Sequence, residues 1–578
     1  MTLKKIVIKV FTVCLCVILA ATSFAGCKLK ENNTPEDKSP EDFSGFYYYP
    51  QMRAAEKVYY VSGANVAVMN YNHQAVLVSL QGIVAQETAE IWIDSSPWIR
   101  EILADKHGVV FEEFIPQGAD TAWELAEKFK GSLNGYVLTD IGGGRSINTA
   151  TVIAGMEKAL IIDASEEAKA IALGLTKIDD AREYTEEEIF EKYKDSMNKS
   201  LLFHCGEKIA GADAPLILGI RDYAIATKSF CFFYDMFKDS LPFYYKVLGW
   251  ADDNIPIMGW TETEADYVKN NSNFKKITMC GDWCGNFSVM SAYRTAENLV
   301  QVNNPRKEIE PEAGKHYLSL VMSDGDNLCW HTSNFWQGYD RWYGSPQRGD
   351  FKITWGINAS ANDIFSYIYD AEYKAATAND EFMAQAAGAG YINVSEYGSG
   401  KGSPEDLKVF AEQTNEYMKR TDTRVMNLLD DYPKLSALQE FAKQPQIMGG
   451  LWMLGYKYIQ GQGAVYWENG KPFVTYRDAL WRVAPQGLSP SEEYDYLNTP
   501  WTDTELNAVA DRINTSKRDY KTIDGYTVMV IHAWTTTMDD VAKFVGRLDP
   551  AIELISSEQL LALVSKNVPQ INAMPDKL

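Results

Sequence analysis

Short apolar or β-branched runs alternate with stretches of helical period through most of the chain, which predicts strands and helices in turn and hence an α/β fold. In the first half, residues 66–69, 90–94, 135–140 and 159–163 read as strands, while 121–130 and 148–158 carry apolar positions at helical spacing. This predicts one open, mostly parallel, Rossmann-like sheet over residues 46–310. The pattern restarts after Pro305, Pro311 and Gly314, with strand-like runs at 317–322, 424–429, 446–453, 464–467 and 526–531 and helical stretches such as 404–420 and 502–515. Repeated units of this kind predict a β/α barrel over residues 311–578, whose catalytic rim is built from whatever follows each strand.

Ser323, Asp324, Gly325, Asp326 and Asn327 directly follow the run 317–322. Later strand ends present Asp430 with Asp431, then Trp452, then His532 with Trp534. Carboxylates from separate strands meeting at one mouth suit general acid and base chemistry, in which one group keeps its proton while another is ionised. Neighbouring Trp and Tyr rings suit the apolar face of a pyranose. The same strings are also good turn chemistry: Gly325 tolerates positive φ, Asp and Asn cap their own backbone, and Asp430 and Asp431 precede Tyr432 and Pro433. Three glycines at 142–144 lack the Lys-Ser or Lys-Thr of a phosphate loop and the dinucleotide spacing, and so read as a tight strand-to-helix turn.

The amino terminus departs from this periodicity. Lys4, Lys5 and Lys9 precede an apolar stretch over residues 10–21, a secretory signal too short for a spanning helix. The string ending at Gly26 before Cys27 is similar to a bacterial lipobox, with Phe24 where Leu is usual. It implies a signal over residues 1–26, lipid on Cys27 and an extracytoplasmic, membrane-anchored protein. Residues 27–45, polar with Pro35 and Pro40, read as a tether, and Phe46, Tyr47, Tyr48 and Tyr49 as a cap on the folded body or a sugar platform. Loss of the leader's three lysines takes the net charge from -23 to -26, which argues against a nucleic-acid partner. Cys205, Cys231, Cys280, Cys284 and Cys329 are odd in number, so no complete disulfide framework is expected. Cys280 and Cys284 form too small a set for zinc, and no metal or cofactor is expected.

Gly388, Ala389, Gly390, Tyr391, Ile392 and Asn393 form a further loop, with Glu396 close behind. Together with residues 79–84 and 148–155, with Gly259, Trp260 and Glu262, and with Trp467, Asn469, Gly470, Lys471, Pro472, Arg477, Leu480 and Trp481, this loop resembles the GxGYxYP family. The resemblance spans nearly everything after the tether and implies a glycoside hydrolase. It departs at Asn393 and Val394, where the family name has Tyr and Pro, implying altered substrate choice or weakened activity.

These features converge on hydrolysis of poly- or oligosaccharide by Asp324 and Asp326, with Glu396 or Asp430 as partner carboxylate. Substrate binding is expected of Asn327, Tyr391, Asn393, Asp431, Trp452, Arg477, His532 and Trp534. Two alternatives stand beside it. Residues 528–532, Asp539, Leu548 and a closing helix near 559–564 are similar to the end of polysaccharide deacetylases, which need a metal held by Asp and two histidines. This half offers His316, His331 and His532, with no pair four residues apart. The other alternative is a non-catalytic sugar-binding lipoprotein.

Overall fold

The computed structural model describes residues 45–575, apart from 95, 119, 142–144, 207–215, 236–238, 262, 282, 296, 336–340 and 402–406. The signal, Cys27, nearly all of the tether, the three-glycine turn and Glu262 lie outside the described residues.

The first half contains three small parallel sheets where one was expected. β1 (Ala54–Val61), β2 (Ala89–Ile93) and β3 (Val110–Glu113) form the first, in the order β2-β1-β3. β4 (Gly135–Thr139), β5 (Ala159–Asp163) and β6 (Lys177–Asp180) form the second, in the order β5-β4-β6. β7 (Asn198–His204), β8 (Ser229–Phe232), β9 (Ile255–Gly259) and β10 (Lys276–Met279) form the third, in the order β10-β9-β7-β8. The helix Tyr71–Ala85 explains the division. It is buried on every side from Ala75 onward and packs against β2, β5 and the helices Thr121–Lys128 and Arg221–Ala226. A helix apolar all round needs several partners, and separate sheets supply them. The strand expected at 66–69 is absent: Val66 belongs to a short helix, Gly63–Ala67, and Val68 is 84 % exposed with nothing to pack against.

The second half forms a single sheet. Its strands are β11 (His316–Met322), β12 (Ile353–Ile357), β13 (Asp380–Ala384), β14 (Val425–Asp430), β15 (Gly449–Leu454), β16 (Val465–Glu468), β17 (Lys471–Thr475), β18 (Asp478–Leu480), β19 (Tyr526–Ile531) and β20 (Ile552–Leu554). They run in the order β16-β17-β15-β14-β13-β12-β11-β19-β18, with β20 on β11, and every pairing is parallel except the β16–β17 hairpin. β11, β12, β13, β15 and β19 are buried along their whole length, as parallel strands covered on both faces must be. The ladder has ends at β16 and β18, so strand pairing alone does not close the barrel expected from sequence. Only Tyr476 and Arg477 separate β17 from β18; their amides donate to Trp452 O on β15 at 3.3 Å and to Val528 O on β19 at 2.9 Å.

The aromatic run after the tether caps this half. Tyr48 stacks on Tyr417 with ring centroids 5.1 Å apart, its amide donates to Asp363 Oδ2 and its hydroxyl to Gln413 Oε1. Among the described residues no helix is long and apolar enough to cross a membrane.

Candidate active site

Loops after β11, β13 and β19, together with the start of the helix Glu264–Asn273, surround a cavity of about 620 Å³, within the size range of small-molecule sites. Asp324, Asp326, Asn327, Glu264, Gln385 and Asn427 supply polar groups, and six tryptophans wall it: Trp260, Trp283, Trp330, Trp342, Trp481 and Trp534.

The Ser323–Asn327 segment is held from three directions. Ser323 N–H continues the ladder to Ile531 O, and Ser323 Oγ accepts from Ala533 N–H at 3.1 Å while donating to the Asp324 carboxylate. Asp324 occupies the left-handed region at φ 64°, a strained position for a residue with a Cβ. There its Oδ1 accepts from Trp534 Nε1 at 2.8 Å. Gly325 is required by closeness, since a Cβ would lie 2.2 Å from the Gly356 backbone. Its N–H donates to Gln385 Oε1 at 2.8 Å and its carbonyl accepts from His331 Nε2 at 3.1 Å. The Glu372 carboxyl lies behind, 3.0 Å from His331 Nδ1, with its pKa pushed up by burial. Asn327 Oδ1 caps Cys329 N–H, so part of the segment does turn chemistry.

Burial, then the charge of Asp324, push Asp326 up to about 7, and Glu264 adds to the rise. Glu264 is also raised, by burial and then by Asp324, while its Oε1 accepts from Tyr391 Oη at 3.1 Å. Burial holds His532 toward its neutral form; its ring stacks on Trp481 at 3.8 Å with planes 6° apart, and Nδ1 lies 2.9 Å from Thr535 Oγ1.

The partner carboxylates expected from sequence lie elsewhere. Glu396 accepts from Tyr432 Oη at 2.8 Å and pairs with Lys269 at 3.4 Å, outside the cavity. Asp430 is buried, its oxygens taken by Ser395 N–H and Trp452 Nε1, and burial pushes it up to about 8. Trp452 is itself fully buried and offers no ring to a sugar. The Arg477 guanidinium donates to Asp524 O and Tyr526 O at the start of β19, a framework role. Asn327, Tyr391, His532 and Trp534 line the cavity, whereas Asn393, Asp430 and Asp431 line a smaller pocket beside it. Glu396→Gln should therefore leave turnover within about twofold, because an ion pair of this kind contributes little; a loss of tenfold or more would restore Glu396 to the site.

Sequence reasoning missed Glu264, Gln385, Asn427, Tyr458 and Trp481. Glu264 carried a usable signal, since it follows β9 through Trp260 just as Asp324 follows β11. The Gly388–Tyr391 loop brings the two halves together. Tyr391 and Thr278 exchange backbone hydrogen bonds at 2.9 and 3.1 Å, tying the loop to β10. Gly390, at φ 155°, would place a Cβ 2.4 Å from Ile277 Cγ2, so this docking requires glycine. Docked in this way, Tyr391 reaches Glu264. The five described cysteines form no disulfide, and Cys284 Sγ lies 3.4 Å from Cys329 Sγ.

Residues 314–565 match the family model described as "GxGYxYP putative glycoside hydrolase C-terminal domain", residues 209–292 the "GxGYxYP third domain" and residues 133–197 the "GxGYxYP_N second domain". A crystal structure described as a "putative hydrolase" from Bacteroides thetaiotaomicron VPI-5482 has the same fold, with a TM-score of 0.76 at 22 % identity over 93 % of this chain and 99 % of that one. No curated protein matches the chain. Three models of one family, matched in chain order over most of residues 133–565, show that this chain belongs to the GxGYxYP family.

Proposed function

We propose that the chain hydrolyses glycosidic bonds, with Asp324, Asp326 and Glu264 as its acid and base groups. One observation carries this reading: Asp324 and Asp326 share a tryptophan-walled cavity, where burial and the neighbouring charge push Asp326 up to about 7. Asp326 would give its proton to the leaving oxygen as the bond to the anomeric carbon breaks. Asp324, fixed by Trp534 and Ser323, would attack that carbon or take a proton from the attacking water. Glu264, raised by burial and then by Asp324, faces them from the other half of the chain. The family description supports the substrate class.

We further propose that the sheet wraps as a barrel through the β17–β18 segment. The amides of Tyr476 and Arg477, which bond to β15 and β19, support this closure. The leader and Cys27 support action outside the cytoplasm on a lipid anchor. The deacetylase alternative finds less support in the histidines. His316 bonds to Thr527 and Lys517 O at the start of β11, and His331 is turned to Glu372, leaving His532 at the cavity.

A pH–rate profile on a panel of glycans tests the hydrolase reading. Because Asp326 must be protonated to act as the acid, kcat should fall as pH rises through about 7. Asp326→Asn should lose that limb along with about 10²- to 10⁴-fold in kcat. An unchanged alkaline limb in the variant, or acetate as the product, would overturn the assignment.

A further inference from the structure

A smaller pocket of about 280 Å³ adjoins the cavity. The two spaces share Glu264, Tyr391, Leu429, Tyr458 and Trp481, so the Tyr391–Glu264 hydrogen bond lies on their common wall. The smaller pocket adds Asn393, Asp430, Asp431, Tyr456 and Lys457. Its form comes from the turn after β15, where Gly455, Lys457 and Tyr458 all take positive φ, at 56°, 53° and 64°. That backbone places Tyr458 between the two spaces and leaves Tyr456 66 % exposed at the mouth, where a ring can meet the apolar face of a sugar.

Among the described residues lining this pocket, Asn393 carries a buried polar atom without a hydrogen-bond partner. It is only 8 % exposed, its N–H is held by Ser272 Oγ at 2.8 Å, and its Oδ1 has no hydrogen-bond partner among the described residues. Buried acceptors are normally satisfied, and an orphan on a pocket wall is open to a donor from an ordered water or a ligand. Asn393 also stands where the family signature is named for Tyr, a larger side chain.

We propose that the pocket is a second sugar subsite, so that the substrate is an oligosaccharide of at least two units lying across Glu264 and Tyr391, with Asn393 Oδ1 accepting from a hydroxyl of the outer unit. It rests on the glycoside hydrolase reading above and adds chain length to it.

The test compares kcat/KM on an aryl monoglycoside and on the matching di-, tri- and tetrasaccharides for wild type, Asn393→Ala and Asn393→Tyr, each checked for an unchanged melting temperature. Wild type should gain about tenfold or more when the second unit is added, and both variants should lose about tenfold on the oligosaccharides while staying within about twofold on the monoglycoside. Equal kcat/KM at every length in wild type, or variants that lose both substrate types equally, would overturn the subsite. Calorimetry of disaccharide binding to Asp324→Asn separates the two readings. Binding that needs Asn393 without turnover in wild type would sink hydrolysis and leave the subsite standing, whereas binding indifferent to Asn393 would sink the subsite.

Discussion

Asp324→Asn is expected to lower kcat by about 10³-fold while the protein stays folded. Asn is among the residues that best tolerate the left-handed backbone found at this position, at φ 64°. Its amide oxygen can still accept from Trp534 Nε1, so the turn loses only the acceptor for the Ser323 hydroxyl. What disappears is a negative charge, and that charge helps to raise both Asp326 and Glu264. Any residual activity should therefore show its alkaline limb at lower pH than wild type, since the remaining acid gives up its proton more readily. Steady-state kinetics against pH read both effects together. Retention of activity within about tenfold would show that Asp324 does not take part in the chemistry.

Gly325→Ala is expected to be damaging for a different reason. The added Cβ would lie 2.2 Å from both C and O of Gly356, a contact that only a backbone shift can relieve. Overpacking of this kind costs about 1 to 3 kcal/mol, and the shift begins between Asp324 and Asp326. A displacement on the order of 1 Å at catalytic groups lowers rates about 10²-fold. Gly285→Ala, where nothing lies within 4 Å of the new Cβ, is the matched control and should stay within about 0.5 kcal/mol. Thermal melts and kinetics on the pair separate crowding at Gly325 from a general effect of losing glycine.

Much of this site was legible because β11 is a fully buried parallel strand, and such a strand is a continuous apolar run with a sharp end. The end marks Asp324 and Asp326. β13 escaped notice because it opens with Asp380 and Glu381, both buried. Asp380 accepts from Trp355 and Arg348, and Glu381 accepts from Thr354 and the Glu558 amide, so charge is satisfied inside a strand that looks polar. Without β13, Gln385 had no rim to sit on. Glu264 had a strand-end signal after β9, but its place at the cavity depends on Tyr391, more than a hundred residues later, and no local period encodes that contact. Glu396 and Asp430 looked like better partners because one follows the Gly388–Tyr391 loop and the other ends a strand-like run, yet their oxygens are committed to Tyr432, Ser395 and Trp452. The three sheets of the first half were missed for a related reason, since strand periodicity reports burial and not which strands pair.

The most direct test is to incubate the chain lacking residues 1–26 with defined oligosaccharides at pH 6 to 7, beside Asp324→Asn, and to count new reducing ends and released acetate. The structure-based account predicts new reducing ends from wild type, a loss of about 10³-fold in Asp324→Asn and no acetate. Reducing ends released equally by both proteins, or acetate without chain cleavage, would contradict it.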